Sequence, residues 1–166
     1  YVRRTLNATA QRRMAVTRPL KLTLLDWPTG PDGDPLVEWF EVVNNPENPA
    51  DGTRLVPFTG ELWIEQDDFR EGPPPKYFRL SPGREVRLRG AYLVTARDVV
   101  KDEAGNVVEV RCSFDPESRG GTPADGRKVK STMHWVSAPH ALDATVALYD
   151  RLFTAEAPGE RTGEAL

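Results

Sequence analysis

Hydrophobic and polar positions alternate along this chain in short runs broken by proline and glycine. The first residues depart from that pattern. Leu6, Ala10 and Met14 share the spacing of one helix face, with no proline among residues 3–15. This predicts a short helix or helical turn with Arg12 and Arg13 near its end, where cations suit the helix dipole. From Leu20 the period becomes two, as Leu20, Leu22 and Leu24 alternate with Lys21 and Thr23, the pattern of a half-buried strand. Gly30 and Gly33 inside 28–35 mark a turn. Residues 36–43 read as a strand with Val37, Trp39 and Glu41 on one face and Glu38, Phe40 and Val42 on the other. The run NNPENP at 44–49 must be a loop, and Leu62, Trp63 and Ile64 centre another strand. Pro73, Pro74 and Pro75 form a stiff spacer leading into Lys76, Tyr77, Phe78, Arg79 and Leu80. After the Pro82-Gly83 turn, Val86 and Leu88 face one way and Arg87 and Arg89 the other. Residues 91–101 and 107–114 predict a hairpin around the glycine-containing loop 102–106. A polar loop at 115–127 precedes predicted strands at 128–136 and 144–153, and a flexible tail is expected after Phe153.

These elements amount to about nine strands, mostly antiparallel, and one short N-terminal helix. The expected fold is all-β, and a small barrel or a pair of sheets would close the strand edges. With 15 prolines and 13 glycines in 166 residues, long helices have little room. No apolar run approaches a membrane span, and the N-terminus lacks a secretory leader pattern. One cysteine, Cys112, excludes an intrachain disulfide and a cysteine-based zinc site. It reads as a buried strand residue in a reducing, cytoplasmic setting. The opening Tyr1-Val2-Arg3-Arg4, without methionine, reads as the start of a piece of a longer polypeptide.

The net charge of −3 argues weakly against nucleic acid, but its distribution argues the other way. Residues 1–25 carry six basic side chains and no acidic one, 26–75 carry two basic and twelve acidic, and 76–130 carry twelve basic and eight acidic. Folding that joins the two basic blocks would create a local anion-binding face.

Catalytic signals are missing. His134 and His140 lack neighbours at metal-ligand spacing, and His134 reads as a hydrogen-bonded structural residue. No serine sits in a nucleophile elbow. The segment 121–128 imitates a phosphate loop, but its lysine is displaced and Val129 replaces the required hydroxyl residue. Recognition remains. Arginine forks reach base edges, and unpaired bases stack on rings such as Tyr77 and Phe78. From the residues alone, RNA binding and protein docking stand level.

A resemblance tips that balance. RRMAV at 12–16 with PLK at 19–21, NNPENP at 44–49, VPF at 56–58, DDFRE at 67–71, REVRLRGAY at 84–92, DGRKVKSTMHWVSAPHA at 125–141 and LYDRLF at 148–153 resemble, in order, the anticodon-binding region of the glutaminyl-tRNA synthetases. The archaeal and eukaryotic glutamyl-tRNA synthetases share this architecture, but the later motifs look more like the glutaminyl branch. The resemblance implies antiparallel β-barrels of a ribosomal-protein-like type. Residues 1–18 would be a helical lead-in from a preceding domain and 154–166 a flexible tail. Residues 19–153 would hold two barrels sharing strands, the second incomplete because a further C-terminal segment is missing.

The resemblance also implies roles. Arg12 would contact the middle anticodon base, with Asn7 supporting the loop. Arg79 would read the third base, Arg87 and Arg89 the first base and its backbone, and Tyr77 would lie within the same segment. Lys76 stands where many family members carry glutamine, and it lacks the amide's acceptor. The implied partners are tRNA(Gln) and a catalytic domain of the same polypeptide, in a monomeric, membrane-free enzyme. ATP with magnesium belongs to that catalytic domain and no cofactor to this chain. The open alternatives are a glutamyl-tRNA synthetase fragment and a protein-docking β-domain.

Overall fold

The computed structural model describes residues 2–149. A short helix, α1 (Val2–Thr9), is followed by strands β1 (Pro19–Leu24), β2 (Glu38–Val43), β3 (Thr53–Phe58), β4 (Glu61–Glu65), β5 (Glu85–Leu88), β6 (Leu93–Lys101), β7 (Val107–Asp115), β8 (Thr132–Met133) and β9 (Val136–Ser137). Seven strands form one sheet in the order β8-β5-β6-β7-β1-β4-β9, and β2 pairs with β3 in a second. Two pairings, β1 with β7 and β5 with β8, are parallel, and the others are antiparallel.

The sheet has barrel character because of where its two ends lie. Its edge strands β8 and β9 belong to one stretch, 132–137. Only His134 and Trp135 separate them, so the chain steps from the β5 edge to the β4 edge and draws the sheet into a curl. Trp135 is fully buried at that step and donates its indole N–H to the Arg89 carbonyl at 3.1 Å.

The inward positions follow the alternation of the sequence. Leu20, Leu22 and Leu24 of β1, Leu62 and Ile64 of β4, Val86 and Leu88 of β5, and Val110 and Cys112 of β7 are all buried. Each such leucine, isoleucine or valine contributes about 1.5–3 kcal/mol when fully removed from water. The second sheet is fastened through aromatic rings. Phe40 and Phe58 meet Tyr92 at centroid distances of 5.8 and 5.5 Å, and Phe58 meets Trp135 edge-on at 4.8 Å.

Several expectations change. The helix ends at Thr9 rather than running to residue 15, because other side chains take its last carbonyls. Buried Asn45 donates to the carbonyls of Asn7 and Ala8 at 3.3 and 3.1 Å, and Arg12 donates to those of Asn7 and Ala10. The Arg12 amide then pairs with the Asn44 carbonyl, drawing the chain away from the helix axis. β2 begins at Glu38 rather than residue 36. β3 was not predicted, since Pro57 sits within it; the proline is tolerated in a strand whose partner is β2 alone. The expected strand at 128–136 survives only as two-residue pieces, because the chain changes sheet edges there. Residues 144–149 of the last predicted strand have no regular structure, while 150–153 and the tail 154–166 lie outside the described residues. The hairpin of β6 and β7 forms as expected, with irregularities at Ala96/Asp98 and Val100/Lys101.

Candidate nucleic-acid interface

The segment after the three prolines is held in a fixed shape. Lys76 adopts a left-handed backbone, φ 67°, unusual for a residue with a side chain. The Tyr77 amide donates to the Pro74 carbonyl at 3.1 Å, its hydroxyl donates to the Asp67 carbonyl at 3.1 Å, and its own carbonyl accepts from Arg84. The Arg70 guanidinium lies 5.6 Å from the Tyr77 ring centroid. Burial, with Asp67 nearby, raises the Tyr77 phenol above its ordinary value despite Arg70 and Arg84. Phe78 projects outward at 50% exposure with the Lys130 ammonium 5.2 Å from its ring centre. Arg79 pairs with Asp68, a carboxylate only 1% exposed.

β5 adjoins this segment through the irregular stretch 130–131, which carries Lys130 and leads into β8. The Arg87 amide donates to the Ser131 carbonyl and the Arg89 amide to the Met133 carbonyl, both within 2.9 Å. The Arg87 side chain donates to the Gly121 carbonyl, and to the Thr132 hydroxyl at 3.4 Å. Gly121 must be glycine here. Its φ is +87°, and a Cβ would lie 2.9 Å from Arg87 Cδ. The turn that imitates a phosphate loop is therefore a clamp on Arg87, and these residues do not fit an ATP cradle. Residues 70–89 and 128–130 together carry eight cations against Glu71 and Glu85. Both carboxylates are engaged elsewhere, Glu71 by Lys101 and Glu85 by Arg127. Among the described residues, Arg70, Lys76, Arg84, Arg87, Arg89 and Lys130 form no ion pair. The result is a surface of cations without carboxylate partners, with Phe78 half-exposed and Tyr77 partly buried among them.

Asn7 and Arg12 sit elsewhere, against the loop joining β2 to β3. The Arg12 guanidinium reaches Asn7 Oδ1 at 3.4 Å as well as the helix carbonyls. The helix-end role expected for it thus takes the form of direct carbonyl capping. Arg13 and Arg54 both donate to Asn44 Oδ1 at 3.2 and 3.0 Å. Burial, then repulsion from Arg13, lowers the Arg54 pKa. Among the described residues, no hydrogen bond or ion pair joins Asn7 or Arg12 to Lys76, Tyr77, Arg79, Arg87 or Arg89. Sequence reasoning missed Lys130, Arg70 and the buried partner Asp68. Only the basic run 127–130 hinted at the first of these.

His134 corrects another expectation. It makes no hydrogen bond through Nε2, which is buried 3.9 Å from Glu65 Oε1. Glu65 instead accepts from the amides of Thr17 and Arg18 and from the Thr17 hydroxyl, at 2.8–3.1 Å. Burial pushes the Glu65 carboxyl up. Those donors, with His134, outweigh burial and hold it below its ordinary value. No group of His, Cys, Asp and Glu among the described residues could hold a metal ion. No described helix is long and apolar enough to cross a membrane. A cavity of about 540 Å3 lies away from the cationic surface, walled by Trp27, Pro35, Val37 and Pro139.

A curled β-sheet flanked by cations and rings has the chemistry that suits a polyanion with exposed bases. Residues 10–115 match the family model described as the anticodon-binding domain of class I tRNA synthetases (E and Q), and residues 132–165 match a second model of the same description. The chain belongs to this anticodon-binding family. It is 57% identical over 95% of its length to a glutamine–tRNA ligase of Nitrobacter hamburgensis, covering 27% of that protein. It is 54% identical over 95% to one of Rhodopirellula baltica, covering 25%, and 43% identical over 99% to one of Clostridium kluyveri, covering 28%. The chain thus spans about a quarter of the length of these curated relatives.

Proposed function

We propose that this chain is the anticodon-binding region of a glutaminyl-tRNA synthetase and reads the anticodon loop of tRNA(Gln). The surface joining Tyr77, Phe78 and Arg79 to Arg87, Arg89 and Lys130 carries this reading, because it lies within or beside the family match and offers both rings and arginine forks. Bases splayed from the loop stack on the rings while arginines donate to their edges. Arg79 contacts the third base, Arg87 and Arg89 the first base and its backbone, and Arg12, braced by Asn7, the middle base. Lys76 contributes a donor to the middle base or its phosphate.

The relatives named as glutamine–tRNA ligases support the glutaminyl branch. The parent then activates glutamine with ATP and magnesium in a separate catalytic domain and esterifies it to the tRNA 3′ end. It acts as a cytoplasmic monomer. Residues 1–18 lead in from that domain, 19–153 form the binding region and 154–166 a tail. The family description embraces both E and Q enzymes, so a glutamyl-specific fragment is the second reading.

The test is a titration with tRNA carrying the glutamine anticodon and with variants at its middle and third bases, at two salt concentrations. Preference for the glutamine anticodon that persists at higher salt is the expected result. Preference for the glutamate anticodon would support the second reading. Equal binding of all sequences at roughly 10⁻⁴–10⁻⁶ M, falling steeply with salt, would reduce the surface to phosphate contact and overturn base readout. Absence of salt-dependent RNA binding would point to protein docking.

A further inference from the structure

We propose that Phe78 and Lys130 form a stacking site for one unpaired nucleobase and its flanking phosphate, next to the position of Arg79. The proposal rests on the anticodon reading above and adds a subsite to it.

Phe78 is a large apolar side chain left 50% exposed, while Leu80, two residues on, is fully buried. Core packing therefore does not account for its outward direction. The backbone that carries it is braced, through Tyr77, before any ligand arrives. Pro74 accepts from the Tyr77 amide, Asp67 from the Tyr77 hydroxyl, and Arg84 clamps the Tyr77 carbonyl. A ring presented from braced backbone loses less conformational freedom on binding than one on a mobile loop. Lys130 approaches the ring at 5.2 Å and, among the described residues, has no carboxylate partner. It arrives from a segment 52 residues later, along the stretch that pairs with β5. An unpaired base has a π-face for the ring, and each base brings a phosphate within reach of a cation. A protein partner would have to bring an aromatic ring and a carboxylate from separate residues to one spacing, whereas every nucleotide carries a base and a phosphate together. RNA is accordingly the occupant, and an unpaired loop the form of RNA.

The experiment measures affinity of the full 166-residue chain for a stem-loop RNA carrying the glutamine anticodon, at two salt concentrations. The variants are Phe78→Ala, Phe78→Leu, Phe78→Trp and Lys130→Ala, and thermal unfolding of each checks folding. Base stacking predicts that Phe78→Ala and Phe78→Leu bind about 5- to 100-fold more weakly, with an unchanged salt slope. Phe78→Trp should bind at least as tightly as the original chain. Lys130→Ala should lower the slope of log K against log salt by about 0.7. A fully paired duplex of the same stem should show no dependence on residue 78.

Binding by Phe78→Ala and Phe78→Leu within about twofold of the original chain overturns the stacking site, even where anticodon preference persists. Leucine equal to tryptophan also overturns it, since apolar contact would then suffice without a ring. Weakened variants of a chain that shows no anticodon preference would support the site and overturn the anticodon reading instead. No RNA binding by the original chain overturns both.

Discussion

Arg79→Ala strands a carboxylate, and the structure sets the size of the effect. Asp68 is 1% exposed and its partner Arg79 56% exposed. No other cation reaches Asp68 among the described residues. Removing one member of a fully buried pair costs about 3–5 kcal/mol, whereas exposed pairs contribute about 0–1 kcal/mol. With one partner buried and the other half in water, the expected loss is about 2 kcal/mol. Most of it is desolvation of the orphaned carboxylate. Urea unfolding followed by tryptophan fluorescence measures the loss, with an unchanged slope as the check on two-state behaviour. In a domain of this size the loss corresponds to a fall of about 4–8 °C in Tm. Asp68→Asn in the same background removes the charge and should restore at least half of the lost stability. On the proposed base readout, it should not restore the discrimination of about 1–3 kcal/mol at one anticodon base that Arg79→Ala would forfeit. Arg79→Ala unfolding within about 0.5 kcal/mol of the original chain (about the noise of such comparisons), or a double variant no more stable than the single, would refute a stranded buried carboxylate.

Three further outcomes follow from the same geometry. Glu65 has a depressed carboxyl pKa in the folded chain, so its stabilisation is present above the unfolded value and is lost as pH falls through the folded one. Glu65→Gln should therefore flatten the stability profile on the acid side of about pH 4.3 while lowering stability at pH 7, as measured by urea midpoints. Gly121→Ala places a methyl against Arg87 in a left-handed backbone. It should cost about 1–2 kcal/mol of stability and weaken stem-loop affinity, whereas Gly126→Ala, equally left-handed but in open space, should affect stability alone. The Cys112 thiol is pushed up to about 12 by burial. An aromatic disulfide reagent at pH 8 should label it only as fast as the chain unfolds, and rapid labelling of the native chain would contradict the packing.

The elements with clean alternation were legible in the sequence. Leu20, Leu22 and Leu24 could face only one side, and the β6–β7 hairpin had β-rich runs on both sides of a glycine loop. Local chemistry alone sets such elements, because side-chain direction in a strand repeats every two residues. The basic and aromatic segment at 76–89 was visible for the same reason. β3 was hidden by Pro57, whose acceptance depends on a partner strand that local sequence does not reveal. The helix end was hidden because Asn45, 37 residues beyond Ala8, terminates it. Closure of the sheet depended on residues 132–137, too short to read as strands, reaching two partners far away in sequence. The candidate site divides along the same line. Sequence determined which side chains carry charge and rings. Tertiary structure decided that Asp68 holds Arg79, that Gly121 clamps Arg87 and that Lys130 reaches the Phe78 ring. Each of those contacts is made by groups that folding alone brings within reach, so no local periodicity could encode it.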